Sequence, residues 1–313
     1  MSSNLHTIQR LSAANISDLA KLHAVIYKRE VPITFFINKY TTAYTNVMYT
    51  GFIAYNEALQ PIAYYGVIPC FLWCGGEVIL AAQSADTMTH PDYRNRGLFV
   101  ELANLTYELC RAEGINIIFG FPNQNSLPGL VNKLGRQVTE TMDRFIIPVK
   151  AIPLEKLAVK FPWVKALYKR YLNVLLKKYS ITDKGISSTV INEGFDGILR
   201  DDNYLQYKTY STTQVIKIND ATLWVKLNNG LIIGDMAGIT TGNFDYVMRK
   251  LLKLAQRAGL TQIHFHTSPA TGLHNLFSSR YKAIPSFPVT FRQLGAEIPT
   301  GKMKFTFADI DIF

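Results

Sequence analysis

The segment Asp86-Thr-Met-Thr-His-Pro-Asp-Tyr-Arg-Asn-Arg-Gly-Leu-Phe99 holds the residues best suited to chemistry. An extended run, 77–89, leads into it, and a helical pattern, 97–113, leads out. A helix start offers backbone N–H groups without internal partners and the positive end of the helix dipole, and together they bind anions. Gly97 has no side chain to keep a phosphate off the backbone. Arg94 and Arg96 add charge and forked donors that match phosphate oxygens. Arg94, Asn95, Arg96, Gly97, Leu98 and Phe99 therefore read as a pyrophosphate cradle. The Gly-Lys-Ser/Thr ending of a P-loop is absent, as is the triple-glycine dinucleotide fingerprint.

Such a loop needs a strand–helix–strand frame. Before it, the pattern predicts a strand at 5–10, a helix opened by Ser12-Ala-Ala-Asn15, a helix at 33–45, and strands at 49–56, 60–71 and 77–89. Cys74-Gly-Gly76 signals a tight hairpin between the last two. Leu98, Leu102, Leu105 and Leu109 give helix 97–113 an apolar stripe, and a strand at 115–121 should run parallel to 77–89. A short helix at 125–134 and an extended run at 137–149 follow.

At 153–180 the character changes: Leu154, Leu157, Phe161, Val164, Leu167, Tyr171 and Leu175 form an apolar stripe among seven Lys and Arg, with Pro162 able to open a helix. A basic amphipathic segment suits a membrane surface or packing across two domains, and packing is the favoured reading. A helix at 201–210, strands at 213–218, 221–227 and 230–236, a helix at 243–258, a strand at 262–266, a helix at 271–281 and strands at 287–293 and 302–308 complete the chain. The earlier order recurs, which predicts tandem related domains of α/β (α+β) class, each a mixed, mostly antiparallel sheet flanked by helices. The expected division is 1–150, a basic helical linker at 151–184, and 185–313.

The chain has 313 residues, 48% apolar and 18% charged, which suits two ordinary domains or one large one and excludes a disordered chain. No stretch offers the roughly 20 uninterrupted apolar residues of a membrane span. MSSNLHTIQR lacks the apolar region of a secretory signal. Three cysteines, Cys70, Cys74 and Cys110, cannot frame a disulfide scaffold and read as buried thiols, so a cytoplasmic location is expected. The +10 net charge favours an anionic partner. His264 and His266 alternate on one strand without a carboxylate at matching spacing, so no metal is expected.

The block Arg94-Asn-Arg-Gly97-Leu-Phe99, after the His90-Pro91 turn, resembles the acyl-CoA-binding motif Arg/Gln-x-x-Gly-x-Gly/Ala of the GNAT acetyltransferase superfamily. Phe99 departs from the motif's last small residue. The resemblance spans 5–149 in element order and 86–135 in residue detail, and it implies two GNAT-like domains. It also implies that Thr87, Met88 and Thr89 pair with pantetheine, that the amides of 95–99 hold the pyrophosphate, and that acetyl-CoA serves as cosubstrate. Where histone-type relatives carry a catalytic Glu, this chain has Gln83, which is no base. The tyrosine acid of many members is missing from Phe121-Pro-Asn-Gln-Asn-Ser-Leu-Pro-Gly129. Asp86 is then the nearest carboxylate for a base, while Asn125 and Ser126 are candidates to bond substrate or the CoA arm.

The expected function is acyl transfer, other than of aminoacyl groups, from acyl-CoA directly to an amine or hydroxyl of a small molecule. The junction Gly234-Asp-Met-Ala-Gly-Ile-Thr-Thr-Gly-Asn243 has no Arg or Lys, so the second domain is expected to shape the acceptor site. The alternatives are a non-catalytic CoA-binding or partner-binding protein and a tRNA-dependent aminoacyl transferase. The intact cradle argues against the latter and against a nucleic-acid partner. Nothing in the sequence speaks to oligomeric state.

Overall fold

The computed structural model describes residues 6–313, so Leu5 of the first expected strand lies outside the described residues. The chain divides into two compact units. The first runs through Glu140 and takes back Pro288–Lys302, and the second comprises Thr141–Phe287 and Met303–Phe313.

The first unit contains β1 (His6–Arg10), α1 (Ile16–Tyr27), α2 (Ile33–Tyr40), β2 (Gly51–Asn56), β3 (Pro61–Cys74), β4 (Glu77–Thr89), α3 (Leu98–Ala112), β5 (Ile117–Gly120) and α4 (Leu127–Asn132). β6 (Gln137–Pro148) begins there and passes into the second unit. Strands β1 to β5 lie side by side in chain order. The pairs are antiparallel except β4–β5, which runs parallel from Ala81↔Ile117 to Gln83↔Phe119, as a helical crossover requires. Residues 290–293 of a late strand add antiparallel to the far side of β5. Gly75 and Gly76 both take positive φ (59° and 95°), the two-residue turn whose twist suits a hairpin and which glycine adopts at low cost.

Helix α3 covers this sheet through Leu98, Leu102, Ala103, Thr106, Tyr107 and Cys110. The leucine stripe is rotated from expectation: Leu105 and Leu109 are only half-buried, because Thr106 bonds inward to the carbonyl of Tyr65 (3.4 Å) and to Leu102 (2.8 Å). Beneath α3 lies a buried cation. Arg136, 2% exposed, donates to the phenol oxygens of Tyr65 (2.9 Å) and Tyr107 (3.2 Å). All three cysteines are buried and form no disulfide.

The second unit continues with α5 (Leu154–Lys160), α6 (Pro162–Lys177), α7 (Thr189–Asn192), β7 (Gly197–Ile198), α8 (Asp202–Tyr207), β8 (Gln214–Ile218), β9 (Ala221–Leu227), β10 (Leu231–Ala237), α9 (Phe244–Arg257), β11 (Gln262–Thr267), α10 (Gly272–Ser278) and β12 (Ile284–Gln293), whose later half belongs to the first unit. Its strands follow the order β6-β11-β10-β9-β8, antiparallel except β10–β11. A hairpin, a helix and a parallel strand thus recur. Phe244, Val247, Leu251 and Leu254 of α9 form the core face, as their spacing predicts.

The expected strand at 302–308 is absent. That segment ends in a tight turn, Phe307–Asp309, closed reciprocally by Thr306 and Asp309. Fully buried Arg200 reaches Asp235 (2.6 Å), Asp309 (2.8 Å) and Thr306 (2.7 Å). Before the turn the backbone makes only isolated bridges, Met303 with Asp196 and Thr306 with Thr267, among the described residues.

The basic segment also differs from expectation. Phe161 is extended (φ −122°, ψ 105°), as a residue before proline prefers, so one stripe becomes two helices. Leu172, Leu175, Leu176 and Tyr179 pack on the core of this unit, whereas Leu157, Phe161, Leu167 and Tyr171 are exposed.

Candidate active site

The register of β4 slips where chemistry was expected. Tyr64 faces Met88 and Gly66 faces Ala85, so Asp86 and Thr87 together oppose the single residue Tyr65. This is a β-bulge, with Asp86 in the left-handed region at φ 47°. Parallel pairing with β5 ends just before it, at Gln83↔Phe119. Past that point β4 and the chain after β5 part, and a cavity of about 630 Å³ opens within the first unit. Thr87, Met88 and Thr89 line one side of it, and Asn123, Asn125 and Ser126 another.

The loop from β4 to α3 makes the remaining wall. Pro91–Tyr93 form a tight turn, with the His90 ring nitrogen accepting from the Asp92 amide (3.3 Å). Asn95 and Gly97 then take positive φ, 62° and 83°, and α3 begins at Leu98. No side chain caps this helix. The amides of Asn95, Arg96, Gly97, Leu98 and Phe99 have no hydrogen-bond acceptor among the described residues, while those of Val100 and Glu101 donate to the Gly97 carbonyl. A Cβ at Gly97 would meet nothing within 4 Å. Open space therefore faces a row of unpaired donors at a helix start, which is what an anionic phosphate requires.

Arg94 and Arg96 are both exposed at this mouth. Arg96 lies over the Tyr93 ring (4.8 Å) and donates to the Asp92 carbonyl (3.0 Å), so it is held in place, whereas Arg94 has solvent around it. Lys133, just past α4, lines the cavity as a third cation that sequence reading missed.

Phe99 is accommodated. Its ring lies so close to Gly129 that a Cβ there would meet it at 2.9 Å, and the Tyr65 ring stands edge-on to it at 5.9 Å. The missing side chain on α4 makes room for the large one on α3.

Asn123, not Asn125 or Ser126, organises the start of α4. Its Oδ1 accepts from the amides of Asn125 (2.9 Å) and Ser126 (3.1 Å). Ser126 Oγ turns back to the Asn123 carbonyl (3.3 Å), and Asn123, Asn125 and Ser126 all line the cavity.

Asp86 does not line the cavity. Its Oδ2 accepts from Lys39 Nζ at 2.7 Å and from Tyr40 Oη at 2.8 Å, both on α2. Lys39 is only 2% exposed, so this carboxylate is the counter-charge of a buried ammonium. Burial and the Asp86 charge raise Tyr40 well above an ordinary phenol, which keeps it a protonated donor. His23, on α1 against Tyr27 (4.6 Å) and Phe36 (5.3 Å), is lowered below an ordinary imidazole by burial. Ile26 and Tyr27 from the end of α1 also reach the cavity, although nothing in their local pattern announces it. Gln83 is buried at 4% exposure.

The corresponding junction of the second unit, 238–243, is closed on itself. Asn243 donates to the Gly238 carbonyl (2.8 Å) and accepts from the Thr240 amide (2.9 Å), and a Cβ at Gly234 would strike the Phe313 ring at 2.2 Å. His266 is stacked on Phe307 (4.4 Å) and bonded to Ser286 (2.8 Å), and burial lowers it to about 3, so it is neutral at physiological pH.

Residues 7–137 match the family model of the GNAT acetyltransferase domain. No curated protein matches the chain significantly. Among solved structures, a GCN5-related N-acetyltransferase from Kribbella flavida is 13% identical with a TM-score of 0.58, over 93% of this chain and 72% of that one. A GCN5-related N-acetyltransferase from Anabaena variabilis gives 14%, 0.56, 93% and 73%. A conserved protein of unknown function from Enterococcus faecalis gives 10%, 0.60, 92% and 73%. At such identities these likenesses speak to fold alone. The match to the GNAT acetyltransferase domain thus spans residues 7–137, within a chain whose fold is similar to that of these solved structures.

Proposed function

We propose that this chain transfers an acyl group, acetyl in the first instance, from acyl-CoA to an amine of a small molecule. The observation that carries the reading is the row of unpaired amides at 95–99, facing open space at Gly97 inside a GNAT domain. The pyrophosphate of the substrate binds those amides, with Arg94 and Lys133 neutralising its charge. The pantetheine arm lies along Thr87, Met88 and Thr89, where β4 has parted from β5 and its edge is free to pair. Asn125 bonds the arm or the acceptor.

The amine attacks the thioester carbon as the neutral base, a C–N bond forms, and the C–S bond breaks to release CoA thiolate. Backbone N–H groups stabilise the oxygen that gains charge. The proton lost by the amine passes to solvent or to the thiolate. Asp86 is assigned a positioning role: by neutralising Lys39 it secures the bulge that presents Thr87 to the cavity. Catalysis then rests on proximity and oriented donors, without a dedicated side-chain base.

Gln83, buried at the position of the usual Glu, favours a second reading, a CoA-binding protein without turnover. Release of free thiol from acetyl-CoA across a panel of small amines separates the two. Amine-dependent release supports transfer, whereas tight CoA binding with no release from any amine selects the second reading.

A further inference from the structure

We infer that the exposed face of α5 and α6 docks on an anionic lipid surface. Residues 150–178 contain eight Lys and Arg and one acid, Glu155, so this short segment carries +7 of the chain's +10. The single acid is turned inward. Glu155 accepts from the backbone amides of Asn229 (2.6 Å) and Gly230 (2.9 Å) and so caps the β9–β10 turn. The charges left on the outward face are all cationic.

Helix α6 is fixed in rotation. Tyr168 and Tyr171 donate to the carbonyls of Ala258 and Arg257, each at 2.7 Å, at the end of α9. Leu172, Leu175, Leu176 and Tyr179 pack on the core beneath. That helix needs only one apolar face for this packing, yet it has a second. Trp163, Leu167 and Val174 are 70%, 61% and 69% exposed, and at 100° per residue they fall within about 40° of one another. Arg170, Lys177 and Lys178 stand beside that line and are exposed, and Lys160 is exposed at the end of α5. Ile152 (72% exposed) and Leu157 (43%) extend the apolar surface to and along α5.

Bare tryptophan, leucine and valine flanked by lysine are what an interfacial helix presents to a bilayer. The apolar side chains enter the headgroup boundary, and the long cationic ones reach anionic lipid phosphates. Charge decides the occupant: a second copy would bring another +7 face, and like charges would oppose the contact. None of these residues lines the cavity, so the inference is independent of the acyl-transfer reading.

The test is flotation of the full chain with vesicles of phosphatidylcholine alone and of phosphatidylcholine mixed with phosphatidylglycerol. Recovery with anionic vesicles should exceed that with neutral ones by about tenfold or more and should fall as salt screens the lysines. Trp163 emission should shift to the blue on binding. The triple variant Trp163→Ser, Leu167→Ser, Val174→Ser should cut recovery about tenfold with an unchanged melting temperature, because these side chains are exposed. Lys160→Gln, Lys177→Gln provides a second variant that leaves the apolar face intact and should also weaken binding. The inference is overturned by absent or equal recovery on the two vesicle types, by variants that float like wild type, or by a concentration-dependent dimer that the serine variant dissolves while vesicles go unbound.

Discussion

Replacing Gly97 by valine tests the cradle at its centre. The position lies at φ 83°, where a side chain costs about 1–2 kcal/mol of strain, so the melting temperature should drop by only a few degrees. Space is not the obstacle, since a Cβ would meet nothing within 4 Å. The isopropyl group would instead occupy the room in which phosphate reaches the amides. If two hydrogen bonds to charged oxygens are lost at about 1.5–3 kcal/mol each, CoA affinity falls by about 10²–10⁴-fold. Calorimetric titration with CoA, beside a thermal melt followed by circular dichroism, separates binding from folding. Gly97→Ala should lie between wild type and valine. A folded Gly97→Val protein that binds CoA within about threefold of wild type would refute the reasoning, because the phosphates could not then lie in the space beside Gly97 that the isopropyl group fills.

Arg94→Ala should weaken CoA binding by about 1–3 kcal/mol and flatten its salt dependence, as calorimetry at two ionic strengths will show. Asp86→Ala should cost about 3–5 kcal/mol of stability in denaturant titration, since it removes a carboxylate paired with the buried Lys39 ammonium. The pair Lys39→Met, Asp86→Asn should restore most of that stability and with it turnover. Turnover that stays down about 10²–10⁴-fold in a restabilised protein would instead make Asp86 the base. His266 provides a pH test of the second unit. Its folded value, about 3, lies below the unfolded one near 6.5, so the unfolded chain alone takes up this proton between those limits. From this residue stability should fall by about 1.4 kcal/mol per pH unit as pH drops below 6.5, and His266→Phe should remove that slope in urea titrations across pH 4–7.

The open, uncapped helix start was legible because its ingredients are local: a glycine, two arginines and a strand-to-helix switch within one short stretch. The strand–helix–strand frame was legible for the same reason, through periodicity. What escaped involves partners distant in sequence. Lys39 and Tyr40 meet Asp86 across more than forty residues, so the nearest carboxylate reads as available until the fold is seen. Gly129 makes room for Phe99 from another helix, which turns an apparent departure from the motif into a matched pair. Ile26 and Tyr27 face the cavity only because of how α1 packs. The segment 302–308 has strand-like residues, but Arg200 draws it into a turn. The lysine-rich stripe read as one helix face, because apolar spacing alone does not say which side meets a core.

Hydrogen–deuterium exchange of the full chain, with and without acetyl-CoA, tests the central claim most directly. The unpaired amides of 95–99 and the β4 edge at Thr87–Thr89 should become protected on binding, together with 123–126, while the self-closed loop 238–243 exchanges unchanged. Saturating acetyl-CoA that leaves 87–99 exchanging freely, or that protects 238–243 in their place, would contradict the account.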